Sequence, residues 1–227
     1  MKINKQKKIE YAKRAVFYIF GMFLIAWGVD FAVSSNLGVS PNNAVPFVLS
    51  KKFTFLSMGN WVSIVFSLFV LLQVFILWKD FKWYFVFQFV VSLAFGWFVD
   101  AAAWLDSFYL PITSNYFVRF LYIGISMALI AVGILMYLEA NLMCMPAEGV
   151  AIALSKRFKK TISTCKIVFD VFLTVLSMTL SLIFFKNING LQVTIVLAFG
   201  VGFVMKPIAK LMKKPLHNFL YGKEKEE

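Results

Sequence analysis

Lys166 and Asp170 stand four residues apart, the spacing that puts two side chains on one face of a helix. Asp170 lies about a turn inside an apolar run. A carboxylate at membrane depth is costly unless it is paired or faces water, so it is a candidate for ion or proton chemistry. The alternative is a structural pair near the interface, with Lys166 reaching back to the headgroups. Glu148 follows Pro146 by two residues in "MPAEGVAIALSKRF". There a carboxylate either complements the dipole of a short helix or offers a proton or cation site to a cavity. Asn36 and Asn141 precede Pro41 and Pro146 by five residues each, and can bond the backbone groups freed there. Asn43 occupies the position in the first half that Glu148 occupies in the second. Asn36, Pro41, Asn43, Asn141, Pro146, Glu148, Lys166 and Asp170 form the candidate substrate- or ion-binding set.

Other polar residues read more plainly. Asp30, Asp100 and Glu139 lie near span ends and read as interface-exposed charges. Cys144 and Cys165 fall in a segment expected in the reducing cytoplasm, which argues against a disulfide. They lack the further ligands of a zinc site. The single His217 lies in the basic tail. No nucleophile–base pair is visible in the spans, so neither an enzyme nor a cofactor is expected.

These residues sit in a chain that needs lipid as solvent. Of 227 residues 61% are hydrophobic and only 15% charged, with 27 Phe and a mean hydropathy of +0.80. Soluble domains are about 45–50% apolar and about 25% charged. Six runs are long enough to span a bilayer: 15–34, 60–78, 83–105, 117–138, 167–185 and 190–209. The first is too long for the core of a cleaved signal peptide. With the N-terminus inside, 19 of the 23 Lys and Arg fall on inner segments. Only Lys51, Lys52, Arg119 and Lys186 fall outside, which predicts cytoplasmic termini. The net charge of +12 then flanks spans and favours anionic headgroups over nucleic acid.

The chain also repeats itself. Residues 24–53 align with 129–158 without a gap and match at twelve of 30 positions, including Asn36/Asn141, Pro41/Pro146 and the Leu-Ser-Lys-x-Phe endings. "SLAFGWFVD" and "VLAFGVGFV" echo each other in the last span of each half. Three spans per half is an odd number, so the second half must be inverted relative to the first. The expected fold is an all-α integral membrane protein with six transmembrane helices in two inverted three-helix repeats, 15–105 and 117–209. A basic segment 1–14, an outer linker 106–116 and a basic tail 210–227 complete it. Each repeat carries a short Pro-initiated helix, either re-entrant or lying in the interface. Pro46 lies inside the first of these and weakens the helical reading there.

"NLGVSP", "MPAEGVAIALSKRF", Lys166 with Asp170, and "NGLQVTIVLAFGVGFVMKPI" resemble the YitT/YczE family of small bacterial integral membrane proteins. The resemblance covers about residues 15–210. Many relatives have a Gly-x-Gly-Thr pattern before the last span, where this chain keeps only Gly190 and Thr194. It implies a multi-pass bacterial plasma-membrane protein with transporter-like relatives. The expected function is a secondary transporter or exporter of a small solute, coupled to an ion, with a cavity between the repeats. The alternative is a non-transporting membrane factor that supports a partner complex; homo-oligomers are compatible with either. Reporter fusions at Lys52 and Lys160 should report opposite sides of the membrane; the same side for both would overturn the inverted arrangement.

Overall fold

The computed structural model describes residues 2–80, 82–109 and 115–221. Residues 110–114 of the expected outer linker and 222–227 of the basic tail lie outside it, as do the side chains of residues 2–6 and Lys79. The described residues form eight α-helices: α1 (Lys2–Ser35), α2 (Pro41–Lys52), α3 (Met58–Leu77), α4 (Gln88–Tyr109), α5 (Tyr116–Ala140), α6 (Pro146–Phe158), α7 (Ile162–Phe185) and α8 (Thr194–Tyr221). Short 3-10 turns at Trp78–Asp80 and Trp83–Phe87 join α3 to α4. Six of the helices are long and apolar enough to cross a membrane; α2 and α6 are the two short ones.

Boundaries moved where capping chemistry outweighs hydropathy. Ser57 and Thr161 start α3 and α7, each accepting from the backbone N–H three residues on. Asp100 strengthens the first cap: Oδ2 accepts from Ser57 Oγ at 2.6 Å and Oδ1 from Gly59 N at 2.8 Å. It is therefore a capping group at the positive end of α3 rather than a bare interface charge. α7 thus begins five residues before the hydrophobic run. α8 begins later than expected and continues through Pro207 and Pro215.

The two longest seams run through glycines. α1 packs most extensively on α5. A Cβ on Gly21 would meet the Gly133 carbonyl and the Tyr137 N–H, and one on Gly28 would meet the Ser126 carbonyl. Small residues allow this approach, and between apolar helices the gain is van der Waals packing. α4 flanks α1 and α8 flanks α5; α3 packs on α6 and α2 on α7. α3 and α4 also meet closely, Gly96 against Gly59 and Ser63. α7 and α8 scarcely touch. Lys13 Nζ donates to the Phe219 carbonyl at 3.3 Å, so α1 begins and α8 ends at one end of the bundle, called here the terminal end.

Gly133→Val should lower stability by about 1–3 kcal/mol, because neither neighbouring backbone can retreat. Gly124, with open space at its Cβ position, should tolerate Ala. Thermal unfolding of the two variants in detergent checks the contrast.

Candidate functional site

The repeated motif makes the same turn twice. Asn36 and Asn141 both adopt left-handed backbone, with φ of 51° and 47°. Asn tolerates this region better than any other residue with a side chain except Asp, and it ends α1 and α5 there. The expected role, bonding backbone freed beside each proline, is corrected: the Asn side chains do not do this. Asn36 Oδ1 instead accepts from Lys51 Nζ at 3.2 Å. After each Asn the chain runs four residues outside any helix, ending extended at Ser40 or Met145, and Pro41 or Pro146 opens the next helix at its first position.

Buried extended backbone needs partners. In the first motif, Leu37 O accepts from Val193 N at 2.9 Å and Val39 N donates to Thr194 Oγ1 at 3.4 Å. Gly38 permits this, since a Cβ there would strike the Val193–Thr194 backbone. In the second, Arg14 donates to the carbonyls of Ala140 at 2.8 Å and Asn141 at 2.7 Å, satisfying the end of α5 instead of the segment that follows it. α2 remains helical through Pro46, but the Asn42 carbonyl loses its usual amide partner there.

The starts of both short helices reach a common polar network. Lys166 Nζ lies 2.7 Å from Asp170 Oδ1. The Asn42 amide bridges the pair: its oxygen accepts from Lys166 at 3.3 Å and its nitrogen donates to Asp170 Oδ1 at 3.2 Å. Glu148 feels the charges of both Lys166 and Asp170 and lies near the Tyr137 hydroxyl, with no hydrogen bond formed between them. As a residue Glu148 is partly exposed, but its Oε2 is enclosed and has no partner. Burial pushes its carboxyl above the ordinary range, and Lys166 and the Tyr137 hydroxyl pull it back down.

Beyond Glu148 the network continues. Tyr18 and Tyr137 meet edge to face with centroids 6.1 Å apart, and neither hydroxyl has a partner. Cys144 lies beside them; burial, and then the Glu148 charge, push its thiol up to about 11. Gln88 Nε2 donates to Cys144 Sγ at 3.4 Å. Gln73 Nε2 donates to Gln88 Oε1 at 2.8 Å and to the Pro146 carbonyl at 3.2 Å, while its own Oε1 is enclosed and unpartnered. A Cβ on Gly149 would collide with this amide. Native interiors leave few such atoms unsatisfied. Tyr18 OH, Tyr137 OH, Gln73 Oε1 and Glu148 Oε2 are four of them, all lining one network.

Of the sequence candidates, Glu148, Lys166 and Asp170 lie in this network, and Pro41 and Pro146 open the helices that reach it. Asn36 and Asn141 turn the chain at a distance. Asn43 points elsewhere: its Nδ2 donates to Ser40 Oγ at 2.9 Å. Asn42, one residue and 100° away, takes the contact with α7. Tyr18, Asn42, Gln73, Gln88 and Tyr137 were missed. The available signal was amides inside apolar runs, Gln73 and Gln88 above all. Asp170 also borders a largely apolar groove of 220 Å3 between α7 and α8, with Thr174, Met178, Ile195 and Phe199 among its walls.

Glu139 is likewise more than an interface charge. It accepts from α8, with Oε2 3.4 Å from His217 Nδ1 and Oε1 4.0 Å from Lys213 Nζ. These contacts tie the end of α5 to α8.

The family described as "Family of unknown function (DUF6198)" matches residues 12–210. The chain belongs to this family. No curated protein and no solved structure matches it. The DUF6198 match takes in both Pro-initiated helices and every residue of the network. Its description names neither YitT/YczE nor an activity.

The raised Glu148 affinity for a proton sets a pH dependence for this DUF6198 chain. Below the ordinary Glu value of 4.5 the carboxyl is neutral in folded and unfolded chains alike. Above it the unfolded chain ionises first and binds fewer protons, so stability falls as pH rises toward the folded value. Glu148→Gln should flatten that part of the profile. Melting temperatures of both proteins from pH 4.5 upward check it.

Proposed function

We propose that the protein is a small secondary transporter of the bacterial plasma membrane, with cytoplasmic termini, that couples movement of a small solute to an ion. The observation that carries the reading is the buried network with four unpartnered polar atoms, drawn from helices of both halves. Such a set needs a guest: water, an ion or a solute. Its titratable members leave Glu148 as the uncompensated carboxyl once Lys166 and Asp170 are paired. The resemblance to transporter-like YitT/YczE proteins points the same way.

The two halves are inverted repeats in this reading. Its support is the exchange of partners between halves: α1–α4 corresponds to α5–α8, α2–α7 to α6–α3, and α1–α5 to itself. α2 and α6 are then re-entrant. Asn42 at the start of α2 meets Asp170 two turns into α7, whereas Lys51 at its other end returns to Asn36 beside the end of α1. Irregular backbone at such depth is tolerated where protein encloses it or water lines it.

One pair breaks the symmetry. α3 and α4 are shut by Gly59 and Gly96, while the corresponding α7 and α8 stand apart around the groove. Closing one pair while opening the other would expose the network to alternate sides. The same groove supports the second reading, a non-transporting factor whose α7–α8 face seats a partner helix.

Purified protein in liposomes loaded with a pH-sensitive dye tests the choice. Gradients of Na+ and of a panel of small polar solutes should evoke proton movement or ion-dependent uptake in the wild type. Asp170→Asn and Glu148→Gln should abolish it at unchanged membrane abundance. If Asp170→Asn instead removes the protein from the membrane and an added Lys166→Met restores it, the pair is structural. Absence of any flux together with stable co-purification of a membrane partner favours the second reading.

A further inference from the structure

A second buried acidic pair lies away from the Glu148 network, at the end of the bundle opposite the terminal end. Asp30 sits in the last two turns of α1 and Asp106 in the last turn of α4. Instead of facing the interface, Asp30 is 6% exposed, and Asp106 is 5% exposed. Their side chains lie within hydrogen-bonding reach of each other. Trp27 Nε1–H, one turn before Asp30, donates to Asp106 Oδ1 at 2.8 Å. The other oxygen, Asp106 Oδ2, is enclosed by protein and has no donor. Among the described residues, none of the ion pairs involves either Asp.

Two carboxylates cannot hydrogen-bond to each other without a proton, because both are acceptors only. Close carboxyl pairs elsewhere resolve the conflict by sharing one proton. Burial among apolar helices removes the water that would otherwise screen the repulsion. We propose that Asp30 and Asp106 form a proton-binding site, with one proton held between the two carboxyl groups and Trp27 orienting Asp106.

The neighbouring elements leave that assignment intact. α5 brings Tyr122, whose ring lies 5.9 Å from Phe31, and Arg119 a turn further along, stacked over Tyr116; both have interactions of their own. Asp100, also on α4, is committed to the start of α3. α1 packs against α4 along this seam, so loss of the proton would set two anions between the helices. The proposal does not depend on transport through the Glu148 network.

Infrared spectroscopy of the full chain in lipid nanodiscs tests it. The background is Glu148→Gln, which removes the other enclosed carboxyl. Near neutral pH the protein should show a protonated-carboxyl C=O band that shifts in D2O. Asp30→Asn should abolish the band, its amide N–H taking the place of the shared proton; Asp106→Asn should do the same. Either variant suffices if the other fails to fold. Absence of the band in the parent protein, or its persistence in a folded Asn variant, would overturn the assignment. So would stoichiometric proton release from the parent on adding NaCl in place of choline chloride, which would make the pair a metal-cation site.

Discussion

The structure depends on the contact of α1 and α5 at backbone distance. Gly21 lies against Gly133, and Gly28 against Ser126 and Ile130. No hydrophobic force drives two apolar helices together in lipid, so close packing and polar contacts must do it. The seam brings Tyr18 and Tyr137 together in its terminal half, and it places the Asn36 and Asn141 turns at opposite ends of the bundle. Everything else is hung on this pair: α4 and α8 on its flanks, and α2 and α6 returning from its two ends.

The short helices convert that seam into a site. Each begins with a proline whose missing N–H falls where a helix has no use for one. Each is preceded by extended backbone that must find partners outside any helix. The first motif finds them in the chain before α8, whereas at the second Arg14 satisfies the end of α5 instead. The two solutions differ although the motifs match, and chemistry differs with them. The first motif brings a neutral amide, Asn42, to the Lys166–Asp170 pair. The second brings Glu148, with an oxygen that no donor satisfies.

Polar groups at this depth divide by how they are satisfied. Asp100 is fully used at the start of α3, and Glu139 holds α8. Glu148 and Asp106 each keep an enclosed oxygen without a donor. Buried polar groups left in this condition are expensive, which is why they cluster where a guest completes them. The closed α3–α4 pair and the open α7–α8 pair set such groups within a scaffold whose two halves are not equally tight.

Hydropathy and charge in the sequence were enough for the helical membrane class and the approximate spans, because 20 apolar residues can be stable in few other ways. The Pro-led short helices were legible too, since proline acts locally. Lys166 and Asp170 could be placed on one face because helical periodicity is local as well. What tertiary structure decided was facing. A one-residue change rotates a side chain by 100°, so Asn42 rather than Asn43 meets α7. Gln73 and Gln88 join Cys144 only because α3 and α4 pack beside the start of α6. Asp30 looked like an interface charge until α4 placed Asp106 against it, held by Trp27 one turn away on α1. Sequence carries how far along a helix each residue lies; which neighbour satisfies it depends on how the helices cross.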